Sequence, residues 1–393
     1  MGHDLHHYLD CSATTPPAEA VLAAMQRCRA EAWANPSSLH GFGLRAAEQL
    51  ERQRQRLAGL LGCQAGRVLF TSGGTESIHL ALLGSCRGQT PGARVLLSSV
   101  EHPASLAAAD QLRRWGMVVD LLPVDRQGRL DLERLQALLA PPTALVSVIW
   151  GQSEVGSVQP LERIGALCRA AGIPLHVDGV QMLGHRPISF DALPVDLMSL
   201  TAHKIQGPKG IGALLVRDGH RLEPLQGGGG QEGGLRAGTE PVELVTGFVE
   251  AVELRQRRLL DHGGVDPSSH LRDALLQRLL LHPGLELTGV DPRQGQAHQR
   301  LPHHLSLLAR SPQGQPIAGR QLVQQLWRQG FAASSGSACS SGRQTPSPVL
   351  LAMGYGAEEA QAGMRISLGP WHGESLLEEL PAAMARALQP FGF

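Results

Sequence analysis

The chain lacks net charge: its 393 residues carry 35 basic and 35 acidic side chains, and its formal charge at pH 7 is zero. No overall electric field therefore draws the protein to nucleic acid or to an anionic membrane. It also lacks any run of roughly 18 apolar residues, the length that a membrane-spanning helix requires. Its first residues do not form a basic segment followed by an apolar run, the pattern of a signal peptide. We expect a cytoplasmic protein that recognises its partners locally, with no membrane contact and no direct nucleic-acid binding.

Cysteines are few and isolated. The chain has six, without a Cys-x-x-Cys pair or the spacing of a zinc site: Cys11, Cys28, Cys63, Cys86, Cys168 and Cys339. A disulfide scaffold and a metal centre are therefore not expected, and the thiols are expected to be reduced.

Short β-rich runs alternate with amphipathic patterns from about residue 67 to residue 216. This alternation predicts an α/β fold whose mostly parallel sheet is covered by helices on both faces. The predicted strands are Arg67–Thr71, Arg94–Ser98, Met117–Leu122, Ala144–Ile149, Pro174–Asp178, Val195–Leu200 and Ile211–Val216. The predicted helices between them are Thr75–Cys86, Pro103–Trp115, Leu130–Ala140 and Leu161–Ala171.

Further helical patterns flank this region, at Ala18–Trp33, Leu44–Leu61 and Glu240–Leu260. Because 393 residues exceed what one core usually supports, we expect a second domain, with its boundary in the weak linker His262–Pro267. Beyond it we predict a compact α+β domain with a loop at Arg310–Pro316. Its helix and strand signals are Ser269–Leu281, His303–Leu308, Gly319–Gln329, Met364–Leu368 and Glu374–Leu388.

The run Thr71–Ser77 follows a predicted strand and opens a predicted helix. Its small residues let backbone N–H groups approach an anion, and the helix dipole favours phosphate there. The run is neither a Gly-x-Gly-x-x-Gly nor a Walker sequence, which argues against dinucleotide or ATP binding. An ordinary capped helix is the alternative.

Polar side chains lie at or just after the ends of three further predicted strands: His102, then Asp178 with Gln181, then His203 with Lys204. Ligands of open α/β sheets bind at such strand ends. A lysine amine can form a Schiff base with the aldehyde of pyridoxal 5′-phosphate, and a carboxylate can keep its pyridine nitrogen protonated. Taken singly, Lys204 could be an ordinary surface lysine, but the set predicts this cofactor.

Two loops remain. The glycine-rich stretch Gln226–Thr239 is either a linker or a means of bringing Arg236 and Thr239 to an anion across a subunit boundary. The small-residue loop Ala333–Arg343 carries Cys339 outside any apolar segment. Such a thiol is either a nucleophile or a harmless surface cysteine.

Together these motifs resemble the pyridoxal-phosphate-dependent cysteine desulfurases, within the class V aminotransferase-like enzymes. The Ser-Ser-Gly-Ser-Ala-Cys loop resembles the branch that serves iron–sulfur cluster assembly and tRNA thiolation. The matching runs are Tyr8–Pro16, Asn35–Ser38, Phe70–Ser77, Glu101-His102, His176–Gln181, Asp196–Gly212, Gly227–Thr239, Ser334–Cys339 and Arg365–Gly369.

The resemblance implies the fold of aspartate aminotransferase, type I among pyridoxal-phosphate enzymes. A large cofactor-binding domain with a mostly parallel seven-stranded sheet would comprise residues 15–260. A smaller α+β domain, residues 1–14 and 261–393, would carry the cysteine loop. The protein would be a homodimer.

The resemblance also implies how the cofactor is held. Lys204 would form the Schiff base and later move protons, and Asp178 would pair with the pyridinium nitrogen. His102 would lie over the ring and assist proton transfer, and Gln181 would hydrogen-bond the phenolic oxygen. The phosphate would be held by Gly74, Thr75, Thr201 and His203, with Thr239 from the second subunit.

For the substrate, L-cysteine, the resemblance implies that Arg365, helped by Asn35, clamps the carboxylate, a task that suits a planar guanidinium. The Cys339 thiolate would attack the substrate sulfur, leaving a persulfide on Cys339 and releasing alanine. The sulfur would pass to an acceptor or iron–sulfur scaffold protein.

One position departs from the family pattern. The usual Asn-Asn-Glu-(Ile/Val)-Gly reads Gln152-Ser153-Glu154-Val155-Gly156 here, so Ser153 replaces an asparagine expected near the phenolic oxygen. We expect this to alter the titration of the cofactor or the turnover. Cys11 also replaces a usual Tyr or Asn, with no clear consequence.

Two other functions are compatible with the sequence. One is a related lyase that acts on cystine, selenocysteine or another β-substituted amino acid. The other is a catalytically weak sulfur-relay or scaffold protein.

Overall fold

A seven-stranded sheet forms the centre of the larger part of the chain. The computed structural model describes residues 5–336 and 345–393, so Cys339 lies outside the described residues. The strands are β1 (Val68–Thr71), β2 (Arg94–Ser98), β3 (Val118–Leu122), β4 (Thr143–Ile149), β5 (Leu175–Asp178), β6 (Leu197–Thr201) and β7 (Gly212–Val216). Their spatial order is β1-β7-β6-β5-β4-β2-β3. Only β7 runs antiparallel to its neighbours, β1 and β6, so the predicted mostly parallel sheet is confirmed.

Helices cover both faces of this sheet, as predicted. They are α1 (Glu19–Glu31), α2 (Gly41–Leu60), α3 (Gly74–Cys86), α4 (Pro103–Arg114), α5 (Leu132–Leu138), α6 (Leu161–Ala171) and α7 (Val242–Asp261). Leu57, Ile164 and Phe248 pack with one face, and Leu82 and Leu112 pack with the other. Successive side chains of a strand point to opposite faces, so each strand serves both cores.

A second, antiparallel sheet forms the centre of the carboxyl-terminal part. Its strands are β8 (Leu285–Leu287), β9 (His304–Arg310), β10 (Pro316–Ile317), β11 (Ser334–Ser335) and β12 (Gly363–Ser367). The accompanying helices are α8 (Ser268–Leu279), α9 (Gly319–Arg328), α10 (Pro348–Ala352), α11 (Ala357–Gln361) and α12 (Leu376–Leu388). Strand β9 pairs with β8, β10 and β12, and β12 pairs with β11. These elements have a core of their own, which includes Leu276, Leu322, Ile366 and Leu380.

The segment around residues 7–12 joins the second sheet. Leu9 N–H donates to the Ala332 carbonyl at 2.8 Å, and Ser367 N–H donates to the Leu9 carbonyl at 2.7 Å. The Leu9 side chain is buried in the carboxyl-terminal core. Further along, Thr15 N–H donates to the His203 carbonyl at 2.8 Å, so the segment connects both parts of the molecule. We propose that the chain divides into a large domain, residues 15–260, and a small domain, residues 1–14 and 261–393.

Most predicted elements lie within a few residues of the observed ones. The helix predicted at Leu130–Ala140 spans only Leu132–Leu138. It begins after Asp131, whose side chain accepts from Arg134 N–H, and two prolines, Pro141 and Pro142, follow its end. Short elements were missed: β8, β11, α10 and α11. The predicted loop Arg310–Pro316 overlaps strand at both of its ends. No helix in the described ranges has the length and apolarity needed to cross a membrane.

Candidate active site

A cavity of about 430 Å³ lies at the carboxyl ends of the parallel strands, where the second part of the chain closes over them. Residues that follow β1, β2, β4, β5 and β6 line it, and Gly336, Pro348, Val349 and Arg365 line it from the other side. Most of the predicted site residues meet there: Gly74, Thr75, His102, Ser153, Asp178, Thr201, His203, Lys204 and Arg365.

The start of α3 has the shape of an anion cradle. Gly73, its N-cap, has φ 149° and ψ −175°, a conformation that only glycine adopts readily. Behind it, a Cβ on Gly212 would lie 2.8 Å from the Gly73 Cα, and a Cβ on Gly74 would lie 2.9 Å from Val180 Cγ2. Because glycine offers no capping side chain, the first N–H groups of α3 remain for a ligand. This turn fits a phosphate group.

Thr201 and His203 add polar groups beside this turn. The Thr201 hydroxyl donates to the Ile211 carbonyl at 3.3 Å, a long bond from which it would turn to donate to a phosphate oxygen. Burial and the nearby lysine charges lower the pKa of His203 to about 4, so the imidazole is neutral near pH 7. Both residues would therefore bind a phosphate as uncharged hydrogen-bond donors.

Lys204 lies in a tight turn after β6. Ile205 and Gly207 N–H groups both donate to the Ala202 carbonyl, and a Cβ on Gly207 would lie 2.7 Å from Ala202 Cβ. The turn projects the Lys204 amine to the Ser12 carbonyl, to which Nζ donates at 2.9 Å. The lysine is thus placed in the cavity by its turn and by the amino-terminal segment.

Asp178 ends β5 and is 3% exposed. Val180 N–H donates to its Oδ1 at 3.0 Å. Burial raises the pKa of Asp178, while the charges of His102 and Lys204 act in the opposite direction. A buried carboxylate needs a cationic partner, and a protonated pyridine nitrogen would supply one.

His102 caps the first turn of α4, because its Nδ1 accepts from Ala104 N–H at 3.1 Å. The neutral imidazole consequently carries its proton on Nε2. Burial is the main reason that the pKa of His102 is lowered. The ring can therefore present an N–H donor to the cavity without being charged.

Ser153 acts through its backbone. Its carbonyl accepts from Arg365 Nη1 at 3.0 Å and from His304 Nε2 at 3.0 Å. Arg365 is 4% exposed, and its Nη2 donates to Asp10 Oδ1 at 2.6 Å. The predicted carboxylate clamp is thus held firmly within the cavity wall.

Three predicted residues lie elsewhere in the single chain. Gln181 is buried behind Ser12 and donates its amide N–H to the Ser12 carbonyl at 2.9 Å. Asn35 and Thr239 lie together in a separate cavity of about 540 Å³, beside Trp33. The site of one chain therefore does not bring Asn35 and Thr239 to the other residues.

The glycine-rich stretch is anchored by two ion pairs within the chain. Arg236 Nε pairs with Glu76 Oε1 at 2.8 Å, and the buried Glu232 accepts from both Nη groups of Arg54 at 2.7 Å. Arg236 thus contacts α3 in its first turn, beside the cradle. In this arrangement its guanidinium is paired with a carboxylate of its own chain.

Two buried acids in the wall were missed by the sequence reasoning. Glu101 accepts from the Ser98 hydroxyl and from Ile149 N–H, each at 2.6 Å, and burial raises its pKa to about 8. Burial raises the pKa of Glu154 to about 7. The sequence could have indicated them by their neighbours, because Glu101 directly precedes His102 and Glu154 directly follows Ser153.

We expect a Ser153→Asn variant to shift the pH midpoint of the cofactor's absorbance by up to about one pH unit, or to change turnover by up to about tenfold. The reason is that the longer amide adds hydrogen-bonding groups to the cavity, while the backbone carbonyl that holds Arg365 is kept. An absorbance titration and a turnover assay measure the two effects. If neither property differs from that of the wild type, the side chain at this position does not tune the cofactor.

The chain resembles proteins of known type over nearly its whole length. The profile of the family described as Aminotransferase class-V matches residues 7–380. A cysteine desulfurase from Cereibacter sphaeroides is 40% identical, and the match covers 98% of each chain. A solved NifS-like protein is 32% identical, with a TM-score of 0.88 over 98% of this chain and 99% of the other. A solved structure of SspA in complex with cysteine is 30% identical, with a TM-score of 0.79 over 93% and 100%.

Proposed function

We propose that Lys204, Asp178 and Cys339 carry the reaction of this chain. The chain belongs to the class-V aminotransferase family and is a pyridoxal-phosphate-dependent cysteine desulfurase of the type I fold. The observation that supports this assignment is the single cavity that gathers Lys204, Asp178 and His102 beside the α3 anion cradle. In the reaction, L-cysteine and the Cys339 thiol yield L-alanine and a Cys339 persulfide, so that the substrate sulfur moves to the enzyme.

When bound, pyridoxal phosphate supplies an aldehyde that captures an amine and a ring that withdraws electrons from the substrate Cα. The start of α3, Thr201 and His203 would hold its phosphate, and Asp178 would keep its ring nitrogen protonated. The Lys204 amine would remove and return the proton at the substrate Cα. His102 would donate Nε2–H within the cavity, and Arg365 would bind the substrate carboxylate.

The test is to incubate the enzyme with L-cysteine and to measure alanine together with a sulfur adduct on Cys339 by mass spectrometry. Equal early amounts of alanine and persulfide are expected. A preparation that binds the cofactor but yields neither product would refute the proposal.

We also propose that the sulfur passes to an acceptor of iron–sulfur assembly or tRNA thiolation. The support is the Ser334–Cys339 run, which resembles the loop of that branch of the family. A cytoplasmic location suits the isolated cysteines, of which the five in the described ranges are free.

We propose a homodimer in which a second copy covers an apolar patch formed by Trp33, Leu39, Phe42 and Leu44. These side chains are 68%, 92%, 53% and 56% exposed, and the Trp33 and Phe42 rings are 5.7 Å apart. Such clustered exposure marks an interaction surface. The patch borders the cavity that holds Asn35 and Thr239, so the second copy would receive Thr239 at its phosphate site.

A Phe42→Glu variant is expected to be monomeric at micromolar concentration and to lose at least about tenfold in cofactor affinity, since it buries a charge at the interface and withdraws Thr239. Sedimentation velocity and a cofactor titration measure both effects. Leu281→Glu is the matched control, because Leu281 is 83% exposed on the carboxyl-terminal part and should leave the dimer intact. A Phe42→Glu protein that stays dimeric would exclude this patch as the interface.

A further inference from the structure

We propose that Asp10 is a positioning residue: it orients the Arg365 guanidinium and so determines how well the enzyme recognises the carboxylate of its substrate. The inference rests on the proposed role of Arg365. It assigns a function to the amino-terminal segment, which contributes to the cavity although it belongs to neither of the elements that carry Lys204 and Arg365.

Two hydrogen bonds set the orientation of the Arg365 guanidinium, and Asp10 accepts one of them. The guanidinium is tied at two points, by the Ser153 carbonyl on Nη1 at 3.0 Å and by Asp10 Oδ1 on Nη2 at 2.6 Å. Among the described residues, its buried Nε has no hydrogen-bond partner. An arginine has five N–H donors in a rigid plane, so two fixed bonds orient the whole fork and leave the remaining donors for a ligand.

The position of Asp10 is itself fixed by the strand that carries Arg365. Asp10 forms a bridge with Ser367, which lies two residues after Arg365 on β12, and Cys11 N–H donates to the Ser367 carbonyl at 3.4 Å. Residues two apart on a strand lie on the same face. The Tyr8 hydroxyl also donates to the Asp10 carbonyl, at 3.2 Å, and to the Thr14 carbonyl, at 2.9 Å. The carboxylate is thus presented to Arg365 by backbone held on both sides.

The negative charge of Asp10 does not by itself explain why a carboxylate lies beside Arg365. Asp10 partly neutralises Arg365 and so weakens its long-range attraction for a substrate anion. Glu154 also lies near Arg365, but burial raises its pKa to about 7, so it is only partly charged near neutral pH. The benefit of Asp10 is therefore geometric, and a neutral residue that keeps the acceptor oxygen should keep much of it.

The test compares Asp10→Ala with Asp10→Asn on two substrates, L-cysteine and L-cysteine methyl ester, whose carboxyl group carries no charge. We expect Asp10→Ala to raise KM for L-cysteine by about 10- to 100-fold, the usual effect of losing a hydrogen bond to a charged group. The KM for the ester should change little, so that the preference for the free carboxylate collapses. Asp10→Asn should raise KM for L-cysteine by less than about tenfold.

Glu286→Ala is the matched control, because Glu286 pairs with Arg310 at 3.3 Å across the same sheet, away from the cavity. It should leave the preference unchanged. The inference is overturned if Asp10→Ala keeps the wild-type preference for the free carboxylate. It is also overturned if kcat and cofactor content fall together in both Asp10 variants, because Asp10 would then support the fold alone. Failure of the proposed function differs from both outcomes: the wild type itself would form no alanine.

Discussion

A Lys204→Ala variant is expected to lose at least about a thousandfold of its alanine-forming activity, because both the amine that binds the cofactor and the base at the substrate Cα are removed. The fold should persist, since the Ser12 carbonyl keeps its bond from Gln181. The variant should also lack the cofactor absorbance band that a lysine Schiff base produces. Steady-state kinetics and absorbance spectra measure the two losses.

The chain offers an unusually clean control for this experiment. Lys209 is its only other lysine and lies exposed five residues further on, in a separate turn. Lys209→Ala should keep the activity, and borohydride reduction of the wild type should attach the cofactor to Lys204 alone. Attachment to Lys209, or wild-type turnover in Lys204→Ala, would contradict the assignment.

A Cys339→Ser variant is expected to lose at least about a hundredfold in alanine formation and all persulfide, because a hydroxyl is far less nucleophilic toward sulfur than a thiolate. Its cofactor absorbance should match that of the wild type, since the cofactor contacts come from other residues. The measurement is alanine release together with mass spectrometry of the protein after incubation with L-cysteine.

Cys63→Ser provides the comparison. Cys63 is half-buried, and burial raises the pKa of its thiol to about 11, so its loss should leave both products unchanged. Alanine formation that survives in Cys339→Ser would instead favour a lyase, which releases sulfur without an enzyme thiol.

Much of the fold and of the cofactor site could be predicted from the sequence, because both depend on local patterns. Strands that are buried on both faces appear in the sequence as apolar runs. Because the carboxyl ends of parallel strands lie at the same edge of a sheet, the polar residues at those ends are expected to lie close together. Asp178, His102 and Lys204 were found in this way, and the structure gathers them in one cavity.

The rest depends on contacts that no local pattern encodes. Ser12 reaches the cavity, and Asp10 reaches Arg365, because their segment pairs with Ala332 and Ser367. The separation of Asn35 and Thr239 from the other site residues follows from where α1 and α7 pack, and their proposed use requires a second chain. Gln181 lies three residues after Asp178 in the sequence, but its amide donates to the Ser12 backbone carbonyl, a contact that the sequence does not reveal.

The pairing of the amino-terminal segment with the second sheet affects the order in which the protein folds during synthesis. Ser12 N–H donates to the Ser367 hydroxyl, 355 positions away, while Lys204 donates to the Ser12 carbonyl. On the ribosome, the large sheet can form long before residue 367 emerges, but the first residues must wait for the last strand of the second sheet. Pairings of such separation form late in folding. Nascent chains should therefore complete the substrate pocket only after residue 367 has been synthesised and has paired with the amino-terminal segment, and cofactor loading at a complete site should follow that pairing.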